Sequence, residues 1–172
     1  QILKITKFEN QDHFIFLFYD IAFDNIDKRM QKNDVPDNDA PYNPTYIDLK
    51  IPAGWPTPPT DIFANNLLTE EGFQLGKKLF YDGRLSKDGN FPCASCHQQF
   101  AAFATFDHDF SHGFDNSFTT RNAPGLFNLA WMTKLHWDGG INHIEVQPLA
   151  PLTAQNEMAE TVDNILNKLR AD

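Results

Sequence analysis

Apolar residues recur at helical spacing at two places in this chain. Phe73, Leu75, Leu79 and Phe80 form one apolar side between Thr69 and the Asp82-Gly83 pair. Thr69 is a good N-cap, Glu70 and Glu71 lie at the positive end of the helix dipole, and Lys77 and Lys78 lie near its negative end. The pattern predicts a helix over 70–81 that stops at Asp82-Gly83. Towards the other end, Val162, Ile165, Leu166 and Leu169 follow i, i+3, i+4, i+7 spacing after Glu157, with Lys168 and Arg170 in the final turn, which predicts another helix. A further short helix is expected to start at Pro124, where proline suits the first turn, and to carry Leu126, Phe127 and Leu129. Long loops lie between, above all from Phe103 to Phe118, rich in Gly, Asp, Asn and Phe. Loops of that length in a compact domain need something to order them, and a large buried cofactor would do so.

The other half of the pattern is a lack of periodicity. Seven of the eleven prolines fall between Pro36 and Pro59, beside Asp37, Asn38, Asp39 and Asn43. Proline supplies no amide donor and disfavours helix in the residue before it, so this stretch reads as an extended arm or strap. Residues 1–65 are therefore taken as an N-terminal extension with a Pro-rich arm, and 66–172 as one all-α domain with long loops. The apolar run Phe14–Phe18 is broken by Asp20 and Asp24. It reads as a short core or edge segment, with a remnant of an export signal as the alternative. The chain begins at Gln1 rather than Met, which allows for a leader already removed. No stretch approaches the roughly 20 apolar residues of a membrane span.

At 172 residues, with 41% hydrophobic content and 16 Phe, there is enough apolar matter for one core. The balance of 14 basic against 23 acidic residues, a net charge of −9, argues against a grip on nucleic acid or on an anionic membrane. It suits a basic partner instead. The only two cysteines, Cys93 and Cys96, are too close in sequence for a disulfide framework.

Their chemistry is local. Cys93-Ala94-Ser95-Cys96-His97 has the C-x-x-C-H spacing of covalent haem c attachment. One helical turn sets two thiols under the two vinyl groups of a porphyrin, and the adjacent His97 imidazole rises to the iron as the proximal ligand. A thioredoxin-like reading would need a surrounding βαβ pattern, and a zinc site would need two more ligands at sensible spacing. Haem c is attached outside the cytoplasm, so the expected compartment is the periplasm, after export and with a membrane anchor allowed.

From Leu75-Gly76-Lys77-Lys78-Leu79-Phe80-Tyr81-Asp82 through Arg84-Leu85-Ser86 to Cys93, the chain resembles the bacterial di-haem cytochrome c peroxidases, which include MauG-like enzymes. The likeness continues through Ser111-His112-Gly113-Phe114, Thr120-Arg121-Asn122-Ala123-Pro124, His136-Trp137-Asp138-Gly139 and Gln147 to Glu157-Met158-Ala159, over about residues 66 to 172. The resemblance implies a cytochrome c-like haem domain of the peroxide-reacting, N-terminal kind, with the second, electron-receiving haem domain absent from this chain. It implies reduction of hydrogen peroxide to water with electrons from a donor cytochrome c or cupredoxin, and it allows a homodimer.

The resemblance also assigns roles. Glu157 matches the acid–base residue above the iron, and Gln147 the amide that positions peroxide and water. His112 matches a loop histidine that caps the resting iron and swings away on activation, Trp137 a tryptophan between the two haems, and Asn122 a residue near an interdomain calcium. Each has a plainer reading: Glu157 as a helix-start carboxylate, Trp137 as a core aromatic, and His112 as one loop histidine no more available than His108, His136 or His143. Gly140 stands where many relatives continue Trp-Asp-Gly with Arg. If that arginine meets a haem propionate, Arg121 is the candidate to replace it. The rival functions are a MauG-like oxidase of protein side chains and a mono-haem electron carrier with Met132 or Met158 as sixth ligand.

Overall fold

The computed structural model describes residues 44–59, 63 and 66–171. Among them the regular structure is helical, with no strands beyond isolated paired residues. Helix α1 runs Glu70–Phe80, within one residue of its prediction. Thr69 caps it by accepting from the Gly72 amide at 3.1 Å. Thr45 serves the same helix end, accepting from the Glu70 amide at 2.9 Å while its own amide donates to Glu71 Oε2 at 3.0 Å. Two of the otherwise unpaired first-turn amides are thereby satisfied. Helix α2 is the single turn Cys93–Cys96, α3 is Leu149–Thr153 and α4 is Val162–Arg170. Among the described residues no helix is long and apolar enough to cross a membrane.

The predicted helix from Pro124 does not form. Residues 124–128 are irregular, and only a 3₁₀ turn, Leu129–Trp131, follows. Asn128 stands in the left-handed region at φ 57, and Gly125 lies so close to Phe127 that a Cβ there would sit 2.4 Å from its ring. Leu126 and Leu129 still reach the core while Phe127 is exposed, so the apolar spacing reflects burial from an irregular chain. Conversely, α3 has no sequence signature, because Leu149-Ala150-Pro151-Leu152-Thr153 is short and contains a proline.

The core joins the helices through Phe73, Leu79, Phe80, Leu85, Leu126, Leu129, Leu135, Ile144, Leu152, Met158 and Ile165. Leu152 is 1% exposed and Ile165 2%, so each contributes about 1.5–3 kcal/mol of burial. Glu160, buried ahead of α4, contacts Lys168 Nζ of that helix, which also donates to the Ser86 carbonyl at 2.8 Å. The described part of the predicted arm, 44–59, holds no helix. It lies along the domain through Ile47 N–H to the Leu68 carbonyl at 3.0 Å, Trp131 Nε1–H to the Pro56 carbonyl at 2.8 Å, and an edge-on Trp55–Trp131 contact. The Phe14–Phe18 run and the first part of the arm lie outside the described residues.

Candidate functional site

The two thiols and the imidazole of Cys93-Ala94-Ser95-Cys96-His97 are brought together by one turn of backbone. The His97 amide donates to the Cys93 carbonyl at 2.9 Å and ends α2. The chain then doubles back, with Gln98 paired to Ala104, through Ala102 and Phe103, both left-handed at φ 53 and 57. That reversal sets the Phe103 carbonyl 2.9 Å from His97 Nδ1. A carbonyl can only accept, so Nδ1 carries the hydrogen and Nε2 keeps its lone pair, the state that an iron ligand requires. Burial holds the His97 pKa down, against the carbonyls of Phe103 and Pro124, and the ring stays neutral. Burial, aided by Cys96, pushes the Cys93 thiol up to about 12, and Cys96 is raised by burial as well. Both are free cysteines. The donor set and the fixed tautomer fit a covalently held haem.

The loop that follows is stitched onto this turn. Thr105 Oγ1 donates to the Cys96 carbonyl at 2.9 Å and lies 2.6 Å from Ser111 Oγ, and the Cys96 thiol points at the His112 carbonyl, 3.9 Å away. The His112 side chain is exposed, against the rings of His108 and Phe118. Phe100, Phe106, Phe110 and Phe118 are all exposed in this part of the chain. So much aromatic surface beside two thiols suits a flat apolar group.

Glu157 meets the same loop from the other side. Its carbonyl accepts from the Phe114 amide at 2.7 Å, and a Cβ on Gly113 would fall 2.1 Å from the Asn156 carbonyl oxygen and 3.0 Å from Glu157 Cα. Only glycine permits that approach. Glu157 is not a helix-start carboxylate, since α4 begins at Val162 under a Thr161 cap. It sits half-buried in the turn after α3. Burial raises its pKa, with His136 near enough to bear on it, and Glu157 in turn bears on Cys96. Gln147 reaches His136, the two Nε2 atoms 2.6 Å apart, while its Oε1 is buried without a hydrogen-bond partner.

The remaining candidates form a separate brace. Trp137 is exposed, not a core aromatic, and its Nε1–H donates to the Asn122 carbonyl at 2.7 Å. Asn122 Nδ2 donates to the carbonyls of His108 and Asp109, at 3.0 and 3.3 Å. Arg121 pairs with Asp138 at 2.9 Å, within the Trp-Asp-Gly turn itself. Of the carrier's sixth-ligand candidates, Met158 is 5% exposed in the core and Met132 is exposed. His136 was indistinguishable from the other histidines in the sequence, because a lone histidine in a turn has no spacing signal.

The sequence profile of the di-haem cytochrome c peroxidase family matches residues 70–172. The chain is 36% identical over 123 residues to the cytochrome-c peroxidase IdrP1 of Denitromonas iodatirespirans, covering 72% of this chain and 32% of that protein. It is 38% identical over 106 residues to the methylamine utilization protein MauG of Methylorubrum extorquens, covering 62% and 30%. A crystal structure of a MauG-like protein associated with microbial copper homeostasis superposes with a TM-score of 0.64 at 36% identity, covering 73% of this chain and 37% of that one. The chain thus spans about a third of the length of the curated relatives it matches.

Proposed function

Because the chain belongs to the di-haem cytochrome c peroxidase family, we propose that it forms the peroxide-reacting, cytochrome c-like haem domain of a periplasmic enzyme that reduces hydrogen peroxide to water. The observation that carries this reading is a half-buried carboxyl whose pKa burial raises, Glu157, held by its backbone against the loop whose His112 carbonyl faces the Cys96 thiol.

Cys93 and Cys96 would bind the porphyrin through thioethers and His97 Nε2 would hold its iron. When bound, the haem supplies the redox-active iron at which the O–O bond breaks. Glu157 takes the proton from the near peroxide oxygen and delivers it to the far one, which leaves as water. A carboxyl raised above its ordinary range suits a group that must do both. Gln147 Oε1 accepts a hydrogen bond from the incoming O–H and orients it. His112, exposed on its loop against the rings of His108 and Phe118, would hold the iron at rest and move away on activation. Two electrons and two protons complete the conversion of one peroxide to two waters. The electrons come from a donor cytochrome c or cupredoxin through a second haem domain, past the exposed Trp137. Calcium near Asn122 would take its other ligands from that second domain.

A MauG-like oxidase is the second reading, favoured by the likeness to MauG and to the MauG-like structure. It differs in drawing the electrons from a protein side chain. Rapid mixing of the haem-loaded protein with peroxide tests the shared step: Glu157→Ala should slow the reaction by about 10²–10⁴-fold with haem incorporation intact. An unchanged rate would remove Glu157 from the mechanism.

A further inference from the structure

His136 belongs to none of the roles assigned so far, yet it makes the one contact that fixes Gln147. The two Nε2 atoms are 2.6 Å apart, so one must donate and the other accept. An amide nitrogen has no lone pair to offer, so the donor is the Gln147 NH2 and the acceptor is the imidazole, with its hydrogen on Nδ1. The amide is then oriented at one end only. Its other end, Oε1, is the one buried side-chain oxygen or nitrogen without a partner among the described residues. Such an atom is costly unless something else meets it.

The backbone supports a dedicated placement. His136 stands in the left-handed region at φ 65, inside a turn closed by the Leu135–Ile141 pairing and by the Gly139 amide donating to the His136 carbonyl at 3.2 Å. A non-glycine residue held there costs energy that the surrounding turn must offset, and the conformation aims the imidazole at Gln147.

We propose that His136 is a positioning residue that locks the Gln147 amide with its oxygen left without a protein partner, so that the site presents a hydrogen-bond acceptor to a small O–H or N–H ligand such as hydrogen peroxide. It acts through Gln147 and does not itself touch the ligand. The proposal rests on the peroxide-reacting role given to this site. It extends that role by naming what selects the orientation of the amide.

The test is a double-mutant cycle on the haem-loaded protein, with two readouts: the rate of reaction with hydrogen peroxide, and the dissociation constant for added imidazole, whose free N–H can donate and which requires no turnover. His136→Asn tolerates the left-handed backbone but is too short to reach Gln147. His136→Gln keeps an acceptor at nearly the same reach. His136→Asn should slow the peroxide reaction and weaken imidazole binding by about five- to tenfold, the worth of one hydrogen bond. His136→Gln should restore most of both, and in a Gln147→Leu background His136→Asn should change neither. The inference is overturned if His136→Asn leaves both readouts unchanged, or if its effect persists in full without Gln147. Should the wild-type protein bind imidazole but not react with peroxide, the function proposed above fails, and the imidazole cycle alone still decides the role of His136.

Discussion

In the proposed reaction Glu157 would take up a proton and give it up within one cycle, and its surroundings set that balance. Burial raises its pKa. To take a proton from peroxide it must first be ionised, so the rate should fall as pH drops through a value above the ordinary carboxylate range. In Glu157→Gln that acid limb should vanish along with most of the rate, and a pH profile of the peroxide reaction reads both. The same limb surviving in Glu157→Gln would assign it to another group. Residues differ in how far their spacing announces them. Cys93, Cys96 and His97 were legible because a covalent attachment needs three groups at fixed intervals on one turn. Gln147 and Glu157 became candidates only through resemblance, since a lone amide or carboxylate carries no interval of its own. The pairing of His136 with Gln147 was not legible, because the two lie eleven positions apart across a turn.

At the scale of elements, α1 and α4 were readable from caps, charges and apolar spacing, all of which agree along eleven and nine residues. The Pro124 segment misled because Leu126 and Leu129 are buried from an irregular backbone, and α3 was hidden by its five-residue length. Helix α4 is fastened by the buried Glu160. Burial alone would raise that carboxyl, but Lys168, the Thr161 amide and Asn164 outweigh it and hold its pKa below the ordinary range. A depressed folded-state pKa means stability that is present above the unfolded value and lost as pH falls through the folded one. Lys168→Met should therefore cost about 1–3 kcal/mol near neutral pH by denaturant unfolding, discounted for the partial exposure of the lysine, with the difference shrinking in acid. An equal cost at all pH values would contradict an ionic role. The contact between the His112 loop and the turn bearing Glu157 depends on Gly113. Gly113→Ala must push the two apart, and should lower stability by about 1–3 kcal/mol and slow the peroxide reaction together.

Over the whole molecule, the helices enclose one core while the functional residues hang on the irregular segments between them. The Cys-x-x-Cys-His turn, the stitched loop and the Glu157 turn meet at one edge. Residues 44–59 run along the domain, and the division at residue 65 leaves real contacts on both sides of it. Trp55→Ala should loosen that strap, seen as faster proteolysis within 44–59 and a loss of about 0.5–1.5 kcal/mol from the Trp55–Trp131 contact. Unaltered cleavage would mean that the strap is held by its backbone hydrogen bonds alone. The proposed function depends on a porphyrin joined to α2. The most direct test is the intact mass of the chain after maturation in a host that assembles c-type cytochromes. The expected result is the polypeptide plus one haem, with the addition abolished when Cys93 and Cys96 are both replaced by Ala; an unmodified polypeptide mass from that host would contradict it.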